Sequence, residues 1–336
     1  MDLLHKHALG GFLAVDADPE DADEEFLFHI AFEEAAAQCE AIICYVDGAH
    51  VESSIPSWRL DVVPVREVTF HPKISLLVWE KHIRILVGSN NLTNDGYRHN
   101  REHFAALNFH AGGLHRNLFE SALDWFEALG TAYCDSATLA RQRTLIDAAS
   151  RISRSWKSVE LEEDMQVQWA FTGPSQPTLW DQLLTILKPG EVWSGLNVIS
   201  PFYAGPDVEN RPMQKLVSLP GSERAVLRIL GRGTAYDVLG FEGPESLRSI
   251  ARAAGFRPQF YVSNMRDEVE KMDRPLHAKL LILQGQTSWV AIHGSSNFTN
   301  QGWGFSGRPN IEANLIVSVS ASRGVRKMMD SWWNEC

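Results

Sequence analysis

The chain contains one ten-residue stretch twice. "GSNNLTNDGY", residues 88–97, returns 206 positions later as "GSSNFTNQGW", residues 294–303, with six of ten positions identical and an aromatic residue last both times. Similarity at such long range implies that the structure around each stretch is duplicated. The sequence therefore predicts two related halves, which we place at residues 1–160 and 161–336, with the junction near residues 155–165.

A histidine and a lysine precede each copy at the same distance. His71 and Lys73 lie in "FHPKISLL", and His277 and Lys279 lie in "LHAKLLIL"; each histidine comes seventeen residues before the glycine of its loop. In a strand, residues i and i+2 point to the same face. We therefore expect each imidazole to project beside its lysine, next to the loop that a tight hairpin brings back.

The repeated unit also carries hydroxyl, carboxamide and carboxylate groups. They are Ser89, Asn91 and Glu102 in the first half and Ser295, Asn297 and Glu312 in the second, each glutamate ending an Asn-x-Glu. Lysine supplies charge for a phosphate, and serine, asparagine and backbone amides supply donors. Two such units provide the two histidines that a double displacement at phosphorus needs, one to attack and one to protonate the leaving oxygen. No metal is required for this chemistry, because the lysines neutralise the developing charge.

The aromatic residues that end the two loops, Tyr97 and Trp303, have two interpretations. They fit core packing, or they stack on the bases of a nucleic acid at the mouth of the site. The histidines at positions 82, 99, 103 and 293 lie near the motifs without matched counterparts, and we interpret them as incidental.

Bulk properties limit the class of protein. The net charge is −11 over 336 residues, and seven acidic residues fall between Asp16 and Glu25, so any nucleic-acid surface must be a local basic patch. No stretch is long and apolar enough for a membrane span, and the four scattered cysteines fit a reducing cytoplasm. Strands and helices alternate in both halves, which predicts an α/β architecture, with one long helical stretch over residues 115–157.

At these residues the chain resembles the phospholipase D superfamily, whose signature is a doubled H-x-K…G-S-x-N. The resemblance implies two repeats, each a mixed sheet flanked by helices, packed as an intramolecular pseudo-dimer around one active site. It also implies a role for each matched residue. His71 and His277 are the catalytic histidines, with His71 as nucleophile; Lys73, Lys279, Asn91 and Asn297 bind phosphate; Ser89 and Ser295 support them; Glu102 and Glu312 orient the imidazoles.

The chain departs from one common feature of that superfamily. Many members carry an aspartate five residues after the lysine, where this chain has Val78 and Gln284. The pattern is more similar to tyrosyl-DNA phosphodiesterases and to metal-independent nucleases of the superfamily than to its lipid-cleaving members.

The predicted function is a cytoplasmic, metal-independent phosphodiesterase without cofactor, and foremost a DNA nuclease that forms a phosphohistidine. Cleavage of lipid phosphodiesters, removal of adducts from DNA ends, and a binding subunit without turnover stay open as alternatives. The resemblance suggests defence against foreign DNA, beside an ATPase that translocates DNA. A homo-oligomer is not needed to complete the site, since both motifs lie in one chain, and the assembly state stays open.

Overall fold

A computed structural model describes residues 25–50, 59–93, 95–203, 208–232, 244–263 and 274–322, together with a few single positions near the two ends. The elements of the first half are α1 (Glu25–Ala36), β1 (Ile42–Asp47), β2 (Leu60–Val65), β3 (Ile74–Val78), β4 (His82–Gly88), β5 (Phe104–His110), α2 (Arg116–Tyr133) and α3 (Ser136–Ser153). Those of the second are β6 (Met165–Thr172), α4 (Leu179–Leu184), β7 (Trp193–Ile199), α5 (Arg211–Val217), β8 (Val226–Gly231), α6 (Pro244–Ala253), β9 (Gln259–Val262), β10 (Leu280–Gly285), β11 (Ser288–Gly294) and β12 (Glu312–Ser320).

The first half is built on an antiparallel meander, β3-β4-β5, and a separate parallel pair, β1-β2. Alternate residues of β4 face the core, as the two-residue period of a strand requires. Ile83, Ile85 and Val87 are almost fully buried and pack against α2 and α3. On the opposite face of this meander Phe104, at the start of β5, is 59% exposed, and no described helix forms such a layer there.

The second half repeats the meander and extends it. β10, β11 and β12 pair antiparallel, and the whole sheet runs β6-β12-β11-β10-β7-β8-β9, with β7, β8 and β9 parallel to one another. Leu281, Leu283, Val290 and Ile292 lie on the face that α4, α5 and α6 cover. The predicted α/β fold of two mixed, helix-flanked repeats is therefore confirmed, although the pairing that joins β7 to β10 has no assigned counterpart between β1 and β3 among the described residues.

Short bridges tie the halves together in a two-fold pattern. Phe70 pairs in parallel with Ile311, and Leu276 pairs in parallel with Arg101. In each bridge the residue before a motif histidine meets the residue before the glutamate of the other half. The amide of His71 donates to the carbonyl of Ile311 at 3.0 Å. The repeats thus pack as a pseudo-dimer, and the bridges determine which histidine lies beside which glutamate.

The long helical stretch predicted over residues 115–157 consists of two helices. α2 ends at Tyr133, and α3 begins at Ser136. Asp135 between them has extended backbone, and its carboxylate accepts a hydrogen bond from the amide of Thr138 at 2.8 Å, as an N-cap does. The junction predicted near residues 155–165 stays a prediction; β6 begins at the end of that range. None of the helices that the structure describes is apolar over enough length to span a bilayer.

Glu191 stabilises the β10-β11 turn, and its removal tests this packing. Its carboxylate is 7% exposed and accepts hydrogen bonds from the amide of Thr287 and the hydroxyls of Thr287 and Ser288 at 3.0, 2.6 and 2.7 Å. Burial alone would raise the pKa of Glu191, but these bonds outweigh burial and lower the pKa to about 2. The folded-state pKa lies below the ordinary value of 4.5, so the stabilisation is complete above that pH and is lost as the pH falls towards 2.

We expect Glu191→Gln to destabilise the protein by about 1.5–3 kcal/mol at pH 7, the value of hydrogen bonds to a charged group. Urea unfolding followed by circular dichroism measures the loss. The difference from the parent protein should shrink at pH 3, and Glu163→Gln, at an exposed position, is the control. An unchanged midpoint at pH 7 would contradict this account of the turn.

Candidate active site

Each motif histidine is held by the glutamate of the other half. Nδ1 of His71 lies 2.9 Å from Oε2 of Glu312, and Nδ1 of His277 lies 2.7 Å from Oε1 of Glu102. The glutamate side chains are 0% and 6% exposed, whereas the imidazoles are 23% and 16% exposed. Because a carboxylate only accepts, Nδ1 carries the proton of each neutral imidazole, and the lone pair of Nε2 is available for chemistry.

The asparagine of each Asn-x-Glu fixes the carboxylate that follows it. Nδ2 of Asn100 donates to Oε1 of Glu102 at 3.2 Å, and Nδ2 of Asn310 donates to Oε1 of Glu312 at 3.0 Å. The spacing in the sequence is explained by this contact, since residues i and i+2 lie on one face of an extended segment. Both orienting carboxylates are therefore themselves held in place.

The two motif serines are not substrate contacts, contrary to the prediction. Ser89 and Ser295 are both fully buried. The hydroxyl of Ser89 donates to Oε2 of Glu102 at 2.5 Å, and the hydroxyl of Ser295 accepts from the amide of Ala313 at 2.9 Å. Their hydrogen-bonding capacity is used to anchor the loops to the strands that follow, which leaves none facing the cleft.

The remaining loop residues explain why the repeat reads N-x-T-N-x-G. The carbonyl of Asn91 accepts from the amide of Thr93 at 2.8 Å, and the same bond joins Asn297 and Thr299. A β-carbon on Gly96 would lie 2.3 Å from the carbonyl oxygen of Asn91, and the position of Gly302 is equally crowded. Only glycine fits such an approach. These contacts recur in both halves and fix the backbone at each asparagine.

The two motif lysines are buried beside the histidines. Nζ of Lys73 donates to the carbonyl of His71 at 2.8 Å, and Nζ of Lys279 donates to the carbonyl of His277 at 2.6 Å. Burial lowers the pKa of Lys73 to about 8, against the opposing effect of the two site glutamates. Burial and the charge of Lys73 lower the pKa of Lys279 to about 7.

Charges of the two halves act on one another across the site. Burial, opposed by Glu312, lowers the pKa of His71, and both lysines lower it further. Burial and Lys279 lower the pKa of His277 to about 4, with Lys73 of the other half contributing. Electrostatic coupling of this kind requires proximity. The structure therefore brings both histidines, both lysines and both glutamates into one cluster, with both imidazoles neutral at pH 7.

The matched aromatic residues have different environments. Trp303 is 2% exposed and packs edge-on against Phe298 in the core, so the predicted substrate contact does not hold for this residue. Tyr97 is 42% exposed, and its hydroxyl bonds to the side chain of Asn90. Trp303 belongs to the core cluster that α4, α5 and α6 form against the larger sheet, whereas Tyr97 lies at the surface.

Asp47 is a site residue that the sequence analysis missed. It ends β1, is 7% exposed, and accepts a hydrogen bond through Oδ2 from the amide of Phe70 at 2.9 Å. It thereby fixes the backbone next to His71, and its charge raises the pKa of Lys73. The signal was an acidic residue at the end of a buried strand, which "VDG" shows but which equally fits an ordinary turn.

Comparison with solved structures gives the same fold. A variant of yeast tyrosyl-DNA phosphodiesterase matches with a TM-score of 0.55 at 11% identity, over 88% of this chain and 80% of that one. A second structure of the yeast enzyme matches with a TM-score of 0.51 at 11% identity, over 84% and 78%. The chain therefore shares its fold with the yeast enzyme.

Nuc from Salmonella typhimurium, a phospholipase D family member, matches with a TM-score of 0.32 at 14% identity, over 51% of this chain and 93% of that one. No protein-family model matches the chain, and no curated protein matches it. The predicted resemblance is thus confirmed at the level of the fold, while the roles of individual residues rest on the geometry above.

The crossed pairing predicts which histidine responds to which glutamate. Because Glu312 raises the pKa of His71, Glu312→Gln should lower that pKa further and leave the Nδ1 environment of His277 nearly unchanged. Glu102→Gln should do the reverse. Titration of ¹⁵N-labelled histidine by NMR measures both, and a response of the histidine in the same half as the mutation would contradict the crossed arrangement.

Proposed function

We propose that this protein is a metal-independent phosphodiesterase that acts through a phosphohistidine, and that its foremost substrate is DNA. One observation carries the proposal: two neutral imidazoles of different repeats lie with two buried lysines in one cluster, and each is oriented through Nδ1 by a carboxylate of the opposite repeat. The ammonium groups of the two lysines, which donate to backbone carbonyls, can turn towards a bound phosphate and neutralise the charge on its oxygens.

The proposed reaction has two displacements. Nε2 of His71 forms a bond to phosphorus while the bond to the leaving oxygen breaks, and His277 donates a proton to that oxygen. Water then attacks the phosphohistidine, His277 accepts a proton from this water, and the bond between phosphorus and His71 breaks. Lys73 and Lys279, with the amides of Asn91 and Asn297, hold the non-bridging oxygens in both steps.

His277 must be protonated for the first step although its pKa in the empty site is about 4. A bound phosphodiester anion supplies negative charge beside the imidazole, which raises this pKa. Substrate binding therefore promotes protonation of the general acid. His71 must instead be neutral to attack, and its lowered pKa keeps it so at mildly acidic pH.

Two features favour DNA over a lipid. Val78 and Gln284 replace the aspartate of the lipid-cleaving pattern, and the solved structures that share the fold include a tyrosyl-DNA phosphodiesterase. That fold also supports a second candidate, removal of an adduct from a DNA end, because the chemistry at phosphorus is the same. Defence against foreign DNA, an ATPase partner and homo-oligomerisation stay predictions from the sequence.

Hydrolysis should persist without divalent metal. We expect the purified protein to cleave bis(p-nitrophenyl) phosphate and DNA in the presence of EDTA, and His71→Ala and His277→Ala each to lose about 10³-fold or more in kcat, since each histidine is required. The control is His115→Ala. His115 lies at the start of α2, and its imidazole bonds the carbonyl of Val159. Cleavage that strictly needs added metal would contradict the mechanism.

The pH dependence of kcat/KM follows from the free site. The protonated fraction of His277 falls about tenfold for each pH unit above its pKa of about 4, and Lys279 loses its charge above about 7. Both effects reduce activity as the pH rises. We therefore expect kcat/KM to be higher at pH 5.5 than at pH 8.5; a profile that increases over this range would exclude His277 as the general acid.

A substrate panel separates the candidates. Single-stranded DNA, duplex DNA, RNA, an oligonucleotide with a 3′-tyrosyl end and phosphatidylcholine vesicles are each incubated with the protein in EDTA. Internal cleavage of DNA supports the nuclease, exclusive release of tyrosine supports adduct removal, and release of choline would overturn the choice of DNA.

A further inference from the structure

The open face of the β3-β4-β5 sheet has no equivalent in the second half. There, the corresponding face is apolar and buried beneath helices, as Val290, Ile292 and Ile316 show. The residues at the matching positions of the first half are Arg84, Leu86 and Ala106. Because this face carries an arginine, it is not simply an apolar face whose covering helix is missing. It is built for contact with water or with a polar ligand.

Aromatic side chains lie on this open face at both ends. Phe104, opposite Gly88 in the β4-β5 ladder, is 59% exposed at the end where the catalytic loop begins. Trp79 is 45% exposed at the other end, and its ring stacks on the imidazole of His82 with 4.2 Å between centroids and 5° between planes. Large exposed aromatic rings on a sheet are the usual platform for unpaired bases.

Between these aromatic groups the face carries Arg84 and Asn108 beside Leu86 and Ala106. Arg84 donates through Nε to Oδ1 of Asn108 at 2.7 Å. Its partner is neutral, and Arg84 forms no ion pair with an acidic side chain of the described residues, so its charge is not cancelled locally. In the turn beyond, Glu80 and Lys81 offset each other. This local positive charge stands out in a chain of net charge −11.

The open face is continuous with the active site. Phe104 comes two residues after Glu102, the partner of His277. β4 extends over six residue steps from Gly88 to His82, a length of about 20 Å. Exposed Tyr97, on the loop that carries Asn91, adds an aromatic group at the catalytic end. A strand whose phosphate lies between the two histidines can therefore continue across Phe104 and past Arg84 to Trp79.

We propose that this face, defined by Phe104, Arg84, Trp79 and His82, binds single-stranded nucleic acid and directs it into the site. The proposal rests on the proposed phosphodiesterase function and specifies its substrate: an unpaired strand, whose bases stack on the rings and whose backbone contacts Arg84. A duplex does not provide this contact, because its bases are stacked on one another and their flat faces are not available to the protein.

Binding by the full chain carrying His71→Ala, which cannot turn over, tests the proposal. Fluorescence anisotropy with fluorescein-labelled oligothymidylates of 20 and 4 nucleotides should show about tenfold weaker binding of the 20-mer for Trp79→Ala and for Phe104→Ala. The 4-mer should be affected less by Trp79→Ala, because it is too short to reach that end. Arg84→Gln should reduce the slope of log affinity against log salt by about one.

The control is Tyr261→Ala, which removes an equally exposed aromatic ring from β9 at the far edge of the other sheet and should leave binding unchanged. Thermal unfolding confirms that each variant folds, as expected for exposed positions. Equal affinity of parent and variants for the 20-mer, or tighter binding of duplex than of single strand, would overturn the proposal. So would a dimer in light scattering that Phe104→Ala dissociates, since the face would then be an interface between copies.

Hydrolysis of a small substrate distinguishes failure of the proposed function from failure of the proposal about the open face. In the background with His71 intact, all four variants should hydrolyse bis(p-nitrophenyl) phosphate as the parent does, because that molecule does not reach the open face. Normal hydrolysis of this diester without preference for an unpaired strand overturns only the assignment of the face. Failure of the parent to hydrolyse any phosphodiester overturns the proposed function, and the anisotropy data still decide what the face binds.

Discussion

The crossed pairs between histidine and glutamate are the contacts on which the site depends. Glu312 and Glu102 are almost completely buried, and a buried carboxylate is costly unless it is paired and hydrogen-bonded. Each finds its histidine partner in the opposite repeat. The two imidazoles are therefore correctly oriented only when the two halves pack correctly, and neither half can present a competent histidine alone. The parallel bridges beside each histidine set the register between the halves.

Electrostatic balance follows from that arrangement. Two buried lysines and two buried glutamates surround two neutral imidazoles, so the empty cluster carries little net charge even though its ionisable groups are strongly perturbed. Burial brings the pKa of Lys279 to about 7 and that of His277 to about 4. A phosphodiester anion that enters this cluster favours protonation of both groups. In the mechanism we propose, the substrate thus supplies the charge that prepares the general acid, and an acidic chain can hold an anion without an extended basic surface around the site.

The sequence was sufficient for the repeat, the fold class and the members of the cluster, because two copies of H-x-K and G-S-x-N at equal spacing constrain both strand pairing and loop shape. It could not show that the glutamates cross between halves, since a repeat does not reveal which copy pairs with which. Burial of both motif serines, and the contrast between Tyr97 and Trp303, were equally hidden, because they depend on tertiary packing that the motif alone does not specify. β6 lies just beyond the predicted junction and completes the sheet beside β12.

The central claim is that His71 and His277 approach a single phosphorus atom from opposite sides. A crystal structure of the protein with vanadate, which adopts the trigonal-bipyramidal geometry of phosphoryl transfer, tests it directly. The account predicts one vanadate bonded to Nε2 of His71, with Nε2 of His277 on the opposite apical side and both lysines on the equatorial oxygens. Vanadate bound by only one histidine, with the other turned away or too distant to reach it, would contradict the mechanism.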